Sequence, residues 1–271
     1  MLPARLKTLL LILALVSAPV AWADDGDDFD RGVKAYDAGD YRTAYRIFKR
    51  FAQQGYVTAQ FNLGLMSHDG QGVPQDYREA AKWFRMAADQ RHAVAQLNLG
   101  NMHYTGYGVP QDYREAAKWY RKAADQGHAD AQNNLGAMYD NGQGVPQDYK
   151  EAMQWYRKAA DQGHADAQFN LGVTYDDGLG VLQDYKAAMQ WYRKAAEQGL
   201  ASAQHNLGVM YLLGQGVPQD YVQAHIWFNL SAAQGSETAR KIREIAAGRM
   251  TPEQIAEARR LAREWAEKHG K

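Results

Sequence analysis

Three histidines, His92, His128 and His164, recur 36 residues apart, and imidazole is both an acid–base group and a zinc ligand. Each follows the same short turn, so adjacent copies stand at least one helix-packing distance apart, roughly 8–10 Å. Zinc ligands lie about 2 Å from the ion, so these side chains cannot share one, and turn capping or packing is their expected role. Asp176 and Asp177, followed by Gly178 and Gly180, are the other candidate cation ligands. They lack the alternating acids and terminal glutamate of a twelve-residue calcium loop. Cysteine is absent, which removes thiolate ligands, a cysteine nucleophile and disulfides together. No G-x-S-x-G elbow or phosphate-cradling loop is present. The residues therefore predict no catalytic centre, no metal site and no cofactor. Arg121, Arg157 and Arg193, each followed by lysine, read most simply as solvated helix ends.

What remains is binding chemistry. Between Ala59 and Thr238 the chain repeats with a 36-residue period: 59–94, 95–130, 131–166, 167–202 and 203–238. Comparing copies separates positions the scaffold dictates from those it does not. The third, seventh, tenth and eleventh positions vary: Phe61, Leu65, His68 and Asp69; Leu97, Asn101, Tyr104 and Thr105; Asn133, Ala137, Asp140 and Asn141; Phe169, Val173, Asp176 and Asp177; His205, Val209, Leu212 and Leu213. Spacings of four, three and one place them on a single helical face. Their chemistry moves from apolar and aromatic, through acidic, to apolar again, which suits a partner with mixed apolar and basic features. Beside them runs a constant asparagine at Asn62, Asn98, Asn134, Asn170 and Asn206. An amide can both donate and accept, so these five can bond an extended ligand or the neighbouring repeat. Both readings stay open.

Two helices per copy position these residues. The first runs from around Ala131 to Tyr139 in the third copy and stops at Gly142 and Gly144, which tolerate left-handed backbone angles. Pro146 bars helix at the residue before it. Asp148 is the expected N-cap of the second helix, starting at Tyr149, with Glu151 completing a capping box, as Glu79 does after Asp76 and Glu115 after Asp112. Ala152, Trp155, Ala159 and Ala160 make one small-residue face that presses into a neighbour. Trp83, Trp119, Trp155, Trp191 and Trp227 then form a core ladder. An aromatic sugar-binding stripe is the competing reading, but their place beside alanines argues for burial.

The LG run followed by Tyr139, the GxGV turn, Asp148 and the WYRKAA stretch from Trp155 to Ala160 resemble the Sel1-like repeat family, relatives of tetratricopeptide repeats. The resemblance implies an all-α, right-handed α-solenoid superhelix of antiparallel helix-turn-helix repeats whose usual role is to hold other proteins, with no shared catalysis. By analogy with tetratricopeptide domains, the variable face and its asparagines line the concave groove. Four residues depart from the pattern: Leu182 for the loop proline, Arg91 for the glycine after the second helix, Thr174 for the first-helix methionine, and Ala187, which breaks the capping box.

The flanks complete the organisation. Residues 1–23 carry Arg5 and Lys7 before an apolar run and end in Ala21, Trp22 and Ala23, the pattern of a signal peptide cleaved after Ala23. The run is shorter than the roughly 20 residues of a membrane span. The 31 basic and 31 acidic residues balance, so no bulk field points to nucleic acid or an anionic membrane. Residues 24–28 are expected to be a disordered acidic terminus, 29–58 a repeat closer to the tetratricopeptide form, and 239–271 capping helices, the last N-capped by Thr251. The sequence thus predicts a monomeric, non-enzymatic scaffold in the periplasm or secreted, binding another envelope or secreted protein without cofactor or stable membrane insertion. A peptidoglycan or glycan-binding accessory using Tyr104, Tyr107 and Phe169 is the alternative, with a cell-wall or β-lactam hydrolase behind it.

Overall fold

The computed structural model describes residues 23–269. The proposed signal sequence, Ala23 apart, lies outside the described residues. Fourteen helices and no strands are found among the described residues. They pair as α1 (Ala23–Asp37) and α2 (Tyr41–Gln53), α3 (Val57–Asp69) and α4 (Tyr77–Asp89), α5 (Ala93–Thr105) and α6 (Tyr113–Asp125), and α7 (Ala129–Asn141) and α8 (Tyr149–Asp161). Then come α9 (Ala165–Asp177) and α10 (Tyr185–Glu197), α11 (Ala201–Leu213) and α12 (Tyr221–Ala233), and the closing α13 (Glu237–Ala247) and α14 (Pro252–His269). Consecutive helices pack on one another from α1 through α13, and α14 packs back on α12. This nearest-neighbour contact pattern is that of an α-solenoid.

Glycine and aspartate set the helix ends. The first helices of the five full copies stop at left-handed glycines, Gly70 through Gly214. The N-cap aspartates accept from the first-turn amides at 2.9–3.1 Å. The expected capping box forms only by half. The backbone N–H of Asp76, Asp112 and Asp148 donates to a carbonyl of the preceding first helix, at Ser67, His103 and Tyr139. Glu79 and Glu115 therefore turn to Lys82 and Lys118, and Glu151 accepts from the Trp155 indole at 2.9 Å. A reciprocal box does close at the start of α14, between Thr251 and Gln254.

The core is the seam between consecutive helices. The five tryptophans of the ladder are buried, at 3–8% exposure, which excludes them as an accessible sugar-binding stripe. Mid-helix Gly64, Gly100, Gly136, Gly172 and Gly208 let an aromatic ring of the second helix lie against the first: a Cβ there would come within 2.5–2.7 Å of Phe84, Tyr120, Tyr156, Tyr192 or Phe228. That contact outweighs the ~1 kcal/mol helix-propensity cost of glycine. Arg121 and Arg157 are half-buried and Arg193 is exposed, but none of the three is a free helix end. Each donates to a tyrosine hydroxyl on the next first helix: Tyr139, Tyr175 at 2.6 Å and Tyr211 at 2.6 Å. Arg121 and Arg157 also lie over the next repeat's Trp155 and Trp191, whose other neighbours are Lys158 and Lys194 of their own helix.

The ends differ from expectation in one place. Residues 24–28 lie within α1, and Asp28 pairs with Arg31 at 3.1 Å and Arg50 at 2.5 Å, so the segment is helical rather than disordered. At the other end α14 covers α12, with Trp265 edge-on to Trp227 at 5.9 Å. Among the described residues no helix is long and apolar enough to cross a membrane.

Candidate functional site

The variable residues occupy the side of α3, α5, α7, α9 and α11 left between core and solvent. Asp69, Asn141, Asp177 and Leu213 are exposed. Leu97 is buried and packs in the core with Trp155. The others, from Phe61, Leu65 and His68 to His205, Val209 and Leu212, are half-buried. Phe61, Phe169 and His205 rest against the second-helix rings of Phe84, Tyr192 and Phe228. They form the floor of the face, and the tenth and eleventh positions form its rim.

The asparagine row bonds between repeats where its partners are visible. Asn170 donates to Asn133 at 3.0 Å, and Asn134 and Asn206 reach the Tyr120 and Tyr192 hydroxyls of the preceding second helix. The Asn98 amide nitrogen is buried without a partner. Tyr120 donates to Asn101 at 2.8 Å, Tyr156 to Asp140 at 3.4 Å and Tyr192 to Asp176 at 3.1 Å. A polar stripe of phenols, amides and carboxylates thus runs across α5 to α11. Burial raises the pKa values of Asp140 and Asp176, partly offset by the tyrosine bonds, and Asp177 pushes Asp176 up further.

Charge is segregated by layer. The first helices α3, α5, α7, α9 and α11 contain no lysine or arginine, but carry Asp69, Asp130, Asp140, Asp166, Asp176 and Asp177. Each of α4, α6, α8 and α10 carries three or four basic residues. Overall neutrality hides this division.

Two of the three turn histidines act in capping. His92 and His164 accept through Nδ1 from Ala95 and Ala167 at 3.2 and 3.1 Å, while His128 makes no such bond. His164 Nε2 lies 2.9 Å from Asp130, linking two turns. Among the described residues no group of three acidic or imidazole side chains is placed to hold a metal ion.

One inter-repeat device was visible in the sequence only as an unexplained constant. Gln60, Gln96, Gln132, Gln168 and Gln204 are buried; each donates to a carbonyl of the preceding helix at 2.9–3.2 Å. Each accepts from Gln90, Gln126, Gln162, Gln198 or Gln234 at 2.7–2.9 Å. Recurrence of both glutamines in every copy was the available signal.

The Sel1 repeat family matches residues 29–56, 57–92, 93–128, 129–164, 165–200 and 201–236, most of the chain. This chain belongs to the Sel1 repeat family. The segment 29–56 matches as a Sel1 repeat in its own right. A Sel1 repeat protein from Oxalobacter formigenes is 36% identical, with a TM-score of 0.76 over 90% of this chain and 97% of that one. The protein c5321, a protective antigen of uropathogenic Escherichia coli displaying an SLR fold, is 27% identical over 91% of this chain and 85% of its own, with a TM-score of 0.43. Comparison with curated proteins returned no match. Sel1 repeat solenoids are generally non-enzymatic scaffolds that bind proteins, and this chain shares their architecture.

Proposed function

We propose that this Sel1 repeat chain is an exported, monomeric, non-enzymatic scaffold that holds an extended or helical segment of an envelope or secreted protein along the first-helix face. The captured segment combines basic and apolar side chains. One observation carries this reading: none of the five first helices α3, α5, α7, α9 and α11 contains a lysine or arginine, and α3, α7 and α9 carry aspartates, so a lysine or arginine laid along them meets Asp140, Asp176 and Asp177 without a competing charge. The half-buried Phe61, Phe169, Val209 and Leu212 offer apolar contact at either end. Electrostatic complementarity of this kind fixes register and speeds encounter. Export rests on the charged, apolar and small-residue order of residues 1–23.

Copurification from envelope extract tests the reading. A protein partner should be retained, released as salt rises, and lost with Asp140→Asn combined with Asp176→Asn. Retention on purified cell-wall sacculi with no protein partner contradicts it.

A further inference from the structure

The four seams that join α4, α6, α8 and α10 to the first helix after each use one repeated contact, with a single exception. Arg121, Arg157 and Arg193 each donate to a tyrosine hydroxyl eighteen residues on. Arg85 meets an imidazole instead: its Nη2 lies 3.2 Å from Nε2 of His103, and its guanidinium stands 6.0 Å over the Trp119 ring of α6. His103 is 7% exposed. Its backbone carbonyl accepts from the N–H of Asp112 at 2.8 Å, and Asp112 caps α6. One residue thus ties α4, α5 and α6 together.

A guanidinium has donors only, so the contact requires a lone pair on Nε2 and an uncharged ring. A phenol makes the same contact with no proton to gain between neutral and mildly acid pH. An imidazole has one to gain. The groups facing His103 are Arg85 from α4 and, from α6 and the loop before it, Glu115, Asp112 and the Pro110 carbonyl. Burial and then Arg85 lower its pKa, and the opposing pull of the carboxylates and the carbonyl is smaller. We infer that His103 makes the seam between α4 and α5 an acid-operated hinge in the solenoid, the one such seam among these four. Protonation sets two cations against each other at the Nε2 contact, so the guanidinium leaves it. In the opened seam the ring has an ordinary pKa near 6.5. The open population therefore grows about tenfold for each pH unit below that, as long as the closed seam refuses the proton. Opening here separates α1–α4 from α5–α14 and shifts Phe61 and Leu65 against Asp140 and Asp176. A consequence for capture rests on the function proposed above; the hinge itself does not.

Hydrogen exchange of the full chain at about pH 7.5 and about pH 5.5, corrected for the intrinsic pH dependence of amide exchange, tests the hinge. The seam of α8 and α9 is the internal reference, because His164 caps α9 as His92 caps α5, while Tyr175 takes the place of His103. Protection in α4, α5 and the first turn of α6 should fall about tenfold in acid relative to that reference. His103→Tyr, the residue the other three seams hold, should abolish the difference with the fold retained. Arg85→Gln, which keeps a donor and removes the charge, should reduce it to about threefold. A loss spread evenly over both seams, a difference that survives His103→Tyr and Arg85→Gln, or unchanged protection in acid each overturns the inference. The Asp140→Asn and Asp176→Asn variants should keep the difference, so a failed hinge and a failed partner face give different results.

Discussion

The seam between successive helices and the outer face of the first helices are built from the same copies, yet they obey opposite rules. Along the seam the same residues recur: tryptophan, paired alanines, a mid-helix glycine and two bonded glutamines. The tryptophan and the first-helix glutamine reach the neighbouring copy, while the glycine seats the ring of its own second helix, so a change in one spoils the fit of two helices. Across the face, copies offer phenylalanine, asparagine, aspartate or leucine at equivalent positions, and the side chains are half-buried instead of enclosed. The solenoid fixes its geometry with one surface and is free to vary the other.

The sharpest way to break this contrast is through the seam. Trp155→Ala should cost about 3–5 kcal/mol in chemical denaturation, because Trp155 is 4% exposed and its ring meets both the Arg121 guanidinium and the Lys158 ammonium. A loss no larger than that of a surface substitution would remove the ladder from the core.

Acid offers a second probe. His225 is buried in α12, and burial together with Arg243 and Arg259 lowers its pKa to about 4, against a smaller opposing pull from Glu244. The unfolded chain, with an ordinary imidazole near 6.5, binds the proton more readily. Stability is therefore full above about pH 6.5 and falls as pH drops towards 4, by on the order of 2–3 kcal/mol. Burial also lowers the pKa values of His92, His103, His128 and His205, which act in the same direction. Unfolding curves across this range should show the slope, and His225→Gln should flatten it.

Smaller effects sharpen the comparison. Gln132→Ala removes two hydrogen bonds, to the Ala124 carbonyl and from the Gln162 amide, which keep Gly127 and Lys158 as partners, for about 1–3 kcal/mol. Arg91 holds a left-handed φ of 67° where the other copies have glycine, so Arg91→Gly should stabilise by about 1 kcal/mol. At the low end, Asp140→Asn with Asp176→Asn should move stability by no more than about 0.5 kcal/mol per site while weakening capture of the partner. A large drop in melting temperature would assign both residues to the scaffold.

Local signals in the sequence carry much of the fold. The start of α8 at Tyr149, the aspartate caps, the left-handed Arg91 and the buried tryptophans all follow from residues within a few positions of each other. What escaped is set by how one repeat meets the next. Glu151 matches a capping box, but its target N–H already bonds the Tyr139 carbonyl. Arg157 lies near a helix end, yet the next repeat brings Tyr175 and Trp191 to it. Asn134, Asn170 and Asn206, equally open in the sequence to a ligand or to the next repeat, bond neighbouring repeats. Periodicity announces that copies stack, while the register of stacking decides which polar atoms meet. The face was legible as a set of variable positions because the scaffold does not specify them, and what they bind is written in no single helix.

The most direct test places a photoreactive residue at single positions of the full chain in living cells and identifies adducts by mass spectrometry. Positions 141 and 177, on the rim of the first-helix face, should trap one and the same protein, through a segment containing lysine or arginine. Positions 118 and 150, exposed on the second helices, should not. Adducts formed equally from both layers, or only from the second helices, would contradict the division of labour between seam and face.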